Sequence, residues 1–414
     1  MELLLKTMFD PNILADDRLE ALQNITKPVL PEECEYVNNH IHTSFSFSPY
    51  TPASALYSAA KAGLSTAGIM DHDSVGGCRE FIEAGKLIGM PVTIGFECRT
   101  SVKGTKLEGL RLNNPDQKSV AYVTLHGIPH GNIDKCEELL KELREKRNER
   151  NVKMIAKINE LCGTDIDFEK DVLPISQYEK GGSVTERHVL FALASKLISD
   201  NREDTIRRVE ELTVPMADSL KEKLLAAPEE YFSYDILGVL KSHLVEKIYV
   251  DADDELIHIT DFTKFACEVG GIPAYAYLGD VTESPTGDKK AQKFEDEYLD
   301  MLFECLGDFG FKAVTYMPSR NTKEQLDRII SLCDKHGFFQ ISGEDINSPR
   351  QSFVCPAMKA YPALYDSTYA LIGHEIAATE CVDNGMFTEK TINKMPNLAE
   401  RIKYFAEIGR KAGK

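Results

Sequence analysis

The sequence predicts an α/β protein built on a parallel sheet or barrel, and two observations carry that prediction. From residue 36, short β-rich runs alternate with helical patterns of about 10 to 15 residues, the signature of βαβ units. Metal-ligating residue types then recur where those strands end, the face on which (β/α) barrels collect their functional groups. A chain of 414 residues with 43% hydrophobic content also has enough apolar side chain for a sizeable core.

In chain order, "EYVNNHIHT" reads as the first strand and "TPASALYSAAKAG" as the helix after it. Thr51 and Pro52 supply a cap and a first-turn proline, and Gly63 supplies a stop. "STAGIMDHD" is the second strand. The next helix, "VGGCREFIEAGKLIG", is expected to start at Ser74-Val75 and to stop at Gly89, before the third strand "PVTIGFECRT". The polar segment 101–118 forms a hairpin or loop ahead of the strand "VAYVTLHGI". Lys-, Glu- and Leu-rich helical patterns then fill residues 131–257, a helical insertion. Its basic run, 141–153, reads as a solvated helical face. Strand and helix alternate again over 258–350, through "IPAYAYLGD", "FKAVTYMP", "TKEQLDRIISLCDKHG" and "FFQISGEDINS". The barrel is thus read in two parts, 36–130 and 258–350, with residues 1–35 as an outer extension and 351–414 as a helical tail.

Bulk properties exclude several classes. A net charge of −18 gives no basis for nucleic-acid binding, since phosphate backbones are held by clustered Lys and Arg. No run of about 18 apolar residues and no signal-peptide pattern is present, so no membrane association is expected and the protein is read as cytoplasmic. Ten scattered cysteines without a C-x-x-C pair are read as reduced, mostly buried thiols.

The chemistry sits at the strand ends. In a strand, residues i and i+2 share a face, so His40 and His42 aim both imidazoles at one point. The second strand ends in Asp71-His72-Asp73, the third carries Glu97, and the last ends in Glu344-Asp345-Ile346-Asn347. Each fragment alone is an ordinary loop or strand end; their recurrence at one face points to metal binding. Mixed imidazole and carboxylate donors suit Mn, Zn or Fe.

These residues, together with "ERHVLFAL", "GGIPAYAY" and "ISGEDIN", make residues 36 to 350 resemble the PHP (polymerase and histidinol phosphatase) family of metal-dependent phosphoesterases. The resemblance implies a distorted (β/α)7 TIM-like barrel holding up to three metal ions and hydrolysing phosphate esters with a metal-bound hydroxide. It carries the metal-ligand roles onto His40, His42, His72, Glu97 and Asp345. His188 and the shifted Arg187 match the family's substrate-facing R-P-H, and Arg320 is a second candidate phosphate clamp. His72 or His188 would protonate the leaving oxygen.

The departures from the family pattern are as specific. Phe47 replaces an acidic ligand, Tyr277 and Asn347 replace histidines, and Tyr122 replaces another, unless His126 or His130 takes that place through a shifted register. They imply one or two ions rather than three. The expectation is a metal-dependent phosphoesterase acting on a small phosphorylated molecule. The alternatives are a catalytically impaired PHP-fold binding or regulatory protein and a metal-dependent amidohydrolase.

Overall fold

The computed structural model describes residues 1–31, 36–281 and 292–412. Helices α1 (Glu2–Phe9) and α2 (Ala15–Asn24) open the chain. The buried Arg18 of α2 pairs with Glu80 through both carboxylate oxygens, which ties this segment to the barrel wall. Next come β1 (Val37–Ile41), α3 (Pro52–Lys61), β2 (Thr66–His72), α4 (Cys78–Ile88) and β3 (Val92–Ser101). Strands β1, β2 and β3 pair in parallel and are buried on both faces, as helix-covered parallel strands require. Thr51 caps α3, its Oγ1 accepting from the Ser54 N–H at 3.2 Å. Helix α4 begins at Cys78 rather than at Ser74-Val75. The preceding glycines are pressed against Phe45, where a methyl on Gly76 would come within 2.7 Å, and Ser74 caps the Gly76 N–H instead of a helix.

Strand β4 (Val120–His126) departs from a simple βα alternation. Segment 102–119 holds no helix to carry a crossover, so β3 turns back as a long hairpin and β4 runs antiparallel to it, Arg99 opposite Tyr122. The N-terminal end of β4 therefore lies on the same face as the C-terminal ends of β1, β2 and β3.

The insertion consists of α5 (Ile133–Cys162), α6 (Glu186–Leu197), α7 (Arg202–Leu212), α8 (Asp218–Leu225) and α9 (Glu229–Ile248), which share their own core around Ile158, Leu190, Leu193, Ile236 and Leu240. The basic run on α5 is not a solvated face. Arg144, Arg147 and Arg150 are at most 4% exposed and pair with carboxylates that are buried or partly buried, because their three-residue spacing puts them on the side of α5 facing the barrel.

The two-residue β5 (Ile257–His258) extends the end of β3, and α10 (Ile259–Glu268), β6 (Ile272–Ala276), α11 (Leu299–Phe309), β7 (Ala313–Tyr316), α12 (Lys323–His336) and β8 (Phe339–Ser342) complete the wall. The order β1-β2-β3-β4-β6-β7-β8 closes on itself after β8. There the His42 N–H donates to the Ile346 carbonyl at 2.9 Å, and the Ile346 N–H to the His40 carbonyl at 3.2 Å. The result is a seven-strand barrel, with β5 off the path.

Helices α13 (Ala363–Glu380), α14 (Glu389–Lys394) and α15 (Leu398–Gly409) close the far end. Ala370 and Leu371 pack beneath Ile272, Ala274, Ala313, Phe339 and Ile341, and Glu375 accepts from the Ile94 N–H at 2.8 Å. Cys34 lies outside the described residues; the nine described cysteines are free, and most are buried. Among the described residues no helix is long and apolar enough to cross a membrane.

Two predictions follow from this floor. A methyl on Gly373 would sit 1.9 Å from the Phe405 carbonyl oxygen, so Gly373→Ala is expected to cost about 3 kcal/mol of stability in chemical denaturation. His374 accepts from the Met386 N–H at 2.9 Å, and burial lowers its pKa to about 4. The unfolded chain, with an ordinary imidazole, takes up that proton first as pH falls from 6.5 toward 4. Stability should therefore drop across that window by at most about 3 kcal/mol, and His374→Gln should flatten this part of the pH profile.

Candidate metal centre

Four strand ends deliver one cluster. His40 and His42 leave β1 on the same face, with their Nε2 atoms 3.2 Å apart. Glu97, opposite His72 in the β2–β3 register, brings Oε2 to 3.9 Å from His40 Nε2. Asp345, on the segment that seals β8 against β1, places Oδ1 at 3.1 Å from His42 Nε2. That approach depends on Gly343, where a methyl would lie 2.6 Å from His40 Cβ. Donor atoms of His40, His42 and Glu97 all lie within 4.8 Å of one another. Two buried imidazoles and the buried Glu97, with the part-exposed Asp345 at their edge, form a donor set of the kind that suits a divalent metal ion. His72 stands one contact further out, its Nδ1 2.9 Å from Glu97 Oε2.

The protonation pattern follows from burial. Loss of water raises the Glu97 carboxyl, lowers His40 and lowers His72 well below the ordinary imidazole range. Burial also acts to raise Asp345, but His42 and His40 beside it hold its carboxyl well below the usual carboxylate range.

A buried relay orients His42. Its Nδ1 lies 3.2 Å from Ser46 Oγ, which donates to Asp71 Oδ1 at 2.6 Å, and Thr43 donates to the same carboxylate through its N–H and its Oγ1. With the Nδ1 proton shared with Ser46, Nε2 is the atom that faces the cluster: burial acts to lower His42, but Asp345 beside Nε2 raises its pKa, and Nε2 would give up its proton to ligate a metal. Sequence reading did not find this relay; the signal was Ser46, four residues after His42, with Asp71 at the neighbouring strand end. Asp73, the other acid of the D-H-D motif, adopts a left-handed conformation (φ 47°) and is tied to Arg147, away from the ligand set.

The replaced ligand positions have other partners. Phe47, also left-handed (φ 74°), inserts into the insertion's core, against His188, Phe191 and Tyr234 with ring centroids 4.9, 5.3 and 5.9 Å away. Tyr277 donates its hydroxyl to Asp296 at 2.6 Å. Tyr122 lies tilted against His72, ring centroids 5.9 Å apart, and burial holds its hydroxyl protonated. Asn347 donates to Asp345 Oδ1 at 2.5 Å and accepts from Arg187, so it links the arginine to the cluster. Of the two alternative histidines, His126 lies two residues deeper than the Glu97 level, opposite Gly95, with both ring nitrogens buried and unpartnered. His130 pairs with Glu375 on the barrel floor.

Two further expectations are corrected by position. His188 is 1% exposed, its Nδ1 accepts from the Thr185 N–H in a capping box, and its ring lies behind Phe47. Burial lowers it to about 3, so it is held neutral and out of reach of a leaving group. Arg320 directs Nε to the Leu278 carbonyl beyond β6, whereas Arg187 is the arginine beside Asp345 and Asn347.

No family model and no curated protein matches the chain. Solved structures do share its fold. A Bifidobacterium adolescentis protein assigned as a metal-dependent phosphoesterase superposes with a TM-score of 0.52 at 17% identity, covering 81% of this chain and 98% of its own. An amidohydrolase from Chromobacterium violaceum, determined with bound sulfate and no metal, gives 0.52 at 18% identity, covering 78% of this chain and 90% of its own. The chain therefore has the barrel architecture that its resemblance to PHP phosphoesterases implied.

Ser46→Ala removes the acceptor for His42 Nδ1 without touching a donor atom. It should weaken affinity for Mn or Zn about 10- to 100-fold in a competitive chelator titration while leaving the melting temperature of the metal-free protein nearly unchanged.

Proposed function

We propose that this chain is a metal-dependent phosphoesterase acting on a small phosphorylated substrate, with one or two Mn, Zn or Fe ions held by His40, His42, Glu97 and Asp345. The observation carrying this reading is the convergence of those four side chains beside an arginine, Arg187, whose hydrogen-bond acceptors among the described residues are both neutral. When bound, a divalent ion supplies Lewis acidity toward a phosphoryl oxygen and brings the pKa of a coordinated water toward neutrality.

The chain's own residues supply the remainder. Arg187 offers a planar fork of donors to phosphoryl oxygens, and Asn347 fixes that fork relative to Asp345. His72, a quarter exposed, shares its Nδ1 proton with Glu97 Oε2, which sets the ring, and burial keeps it neutral, so its Nε2 lone pair serves to take up the proton of an attacking water rather than to protonate the leaving oxygen.

A binding or regulatory role without turnover is the second reading, favoured by the commitment of Phe47 to the insertion's core and of the Tyr277 hydroxyl to Asp296. Amide hydrolysis, the activity in the name of the Chromobacterium neighbour, would leave Arg187 without an anionic group to bind. Protein loaded with Mn, Zn or Fe should hydrolyse a phosphomonoester or cyclic phosphodiester at least about 100-fold faster than a His40→Ala control. Turnover no greater than that control with any of the three metals rejects the phosphoesterase reading in favour of the binding one.

A further inference from the structure

At the mouth of the candidate site, two cations make no ion-pair contact with a carboxylate among the described residues. Arg187, at the start of α6, is half-buried, and its hydrogen-bond acceptors are the carbonyl and Oδ1 of Asn347. The nearby Arg99, Arg147 and Arg150 all pair with carboxylates. Lys241, on α9, is exposed and forms no hydrogen bond or ion pair among the described residues.

Seven residues before Lys241, Tyr234 packs 5.9 Å from Phe47 of the site loop. Seven residues are nearly two full turns, so Lys241 stands on the same site-facing side of α9. Electrostatics agree: the Arg187 charge is the leading cause that lowers the Lys241 ammonium to about 8, while Asp116, Asp345 and Glu186 act in the opposite sense. In a chain of net charge −18, a basic pair with no salt-bridge partner among the described residues is a local exception.

We propose that Arg187 and Lys241 clamp the terminal phosphate dianion of a phosphomonoester, with Lys241 contributed by the helical insertion; this deepens the phosphoesterase reading and rests on it. The arginine supplies paired, directional donors and the lysine a point charge. A phosphodiester carries a single charge at its phosphate and a carboxamide none, so two cations select a monoester.

Inorganic phosphate, titrated calorimetrically into the Mn-loaded full-length protein, is the direct probe, alongside kinetics on a phosphomonoester and a cyclic diester. Lys241→Gln should weaken phosphate binding about tenfold and raise the monoester KM by a similar factor, with kcat and the diester KM within about twofold of wild type. Lys241→Arg should restore most of the loss. Lys264→Gln, which removes a charge from the exposed side of α10, should change nothing. Phosphate affinity and monoester KM unchanged in Lys241→Gln overturn the clamp, whatever Arg187→Gln does. Failure of the phosphoesterase reading looks different: wild-type protein turns over no ester. A tenfold loss of phosphate affinity in Lys241→Gln would then still support the clamp, as an anion site in a binding protein.

Discussion

A row of arginines on one side of α5 balances carboxylates that the fold has taken out of water, and both halves of the site depend on it. Arg147 joins Asp73 to Glu186, Arg150 joins Glu186 to Glu255, Arg99 of β3 reaches both glutamates, and Arg144 holds the Asp73 carbonyl and Glu137. Asp73 directly follows His72, and Glu186 directly precedes Arg187. The same charges therefore set the loop after β2 and the start of α6 in one frame. Such pairs add little net stability compared with an apolar core, but removing one partner strands the other and costs about 3 to 5 kcal/mol, which makes the arrangement strongly specified.

Phe47 shows how the insertion and the site became one unit. It occupies a loop position, between Ser46 of the His42 relay and Ser48, where an acidic side chain would face the metals. Here its ring lies in the apolar core formed by α6 and α9. A left-handed backbone is unfavourable for an aromatic residue and persists where surrounding packing overrides it. At this loop position the chain has a contact that ties the insertion to the loop following β1.

Much of this was legible in the sequence, for identifiable reasons. The period-two placement of His40 and His42, and the strand-end positions of His72, Glu97 and Asp345, encode direction as well as identity, and the fold brings all five together. The antiparallel course of β4 was less legible, because "VAYVTLHGI" reads the same in either direction; only the absence of a crossover helix before it told. The burial of Arg144, Arg147 and Arg150 was misread because charge alone suggested solvent, although their regular spacing marked one side of α5. His188 was misassigned because a histidine three residues after a threonine at a helix start serves as a cap as readily as a catalyst.

The central claim is that His40, His42, Glu97 and Asp345 bind a transition metal. Metal analysis of protein purified without chelators, for wild type and His42→Ala in parallel, tests it most directly. The expected result is at least one equivalent of Mn, Zn or Fe in wild type, lost in the variant; less than one equivalent, unaffected by removing His42, would contradict it.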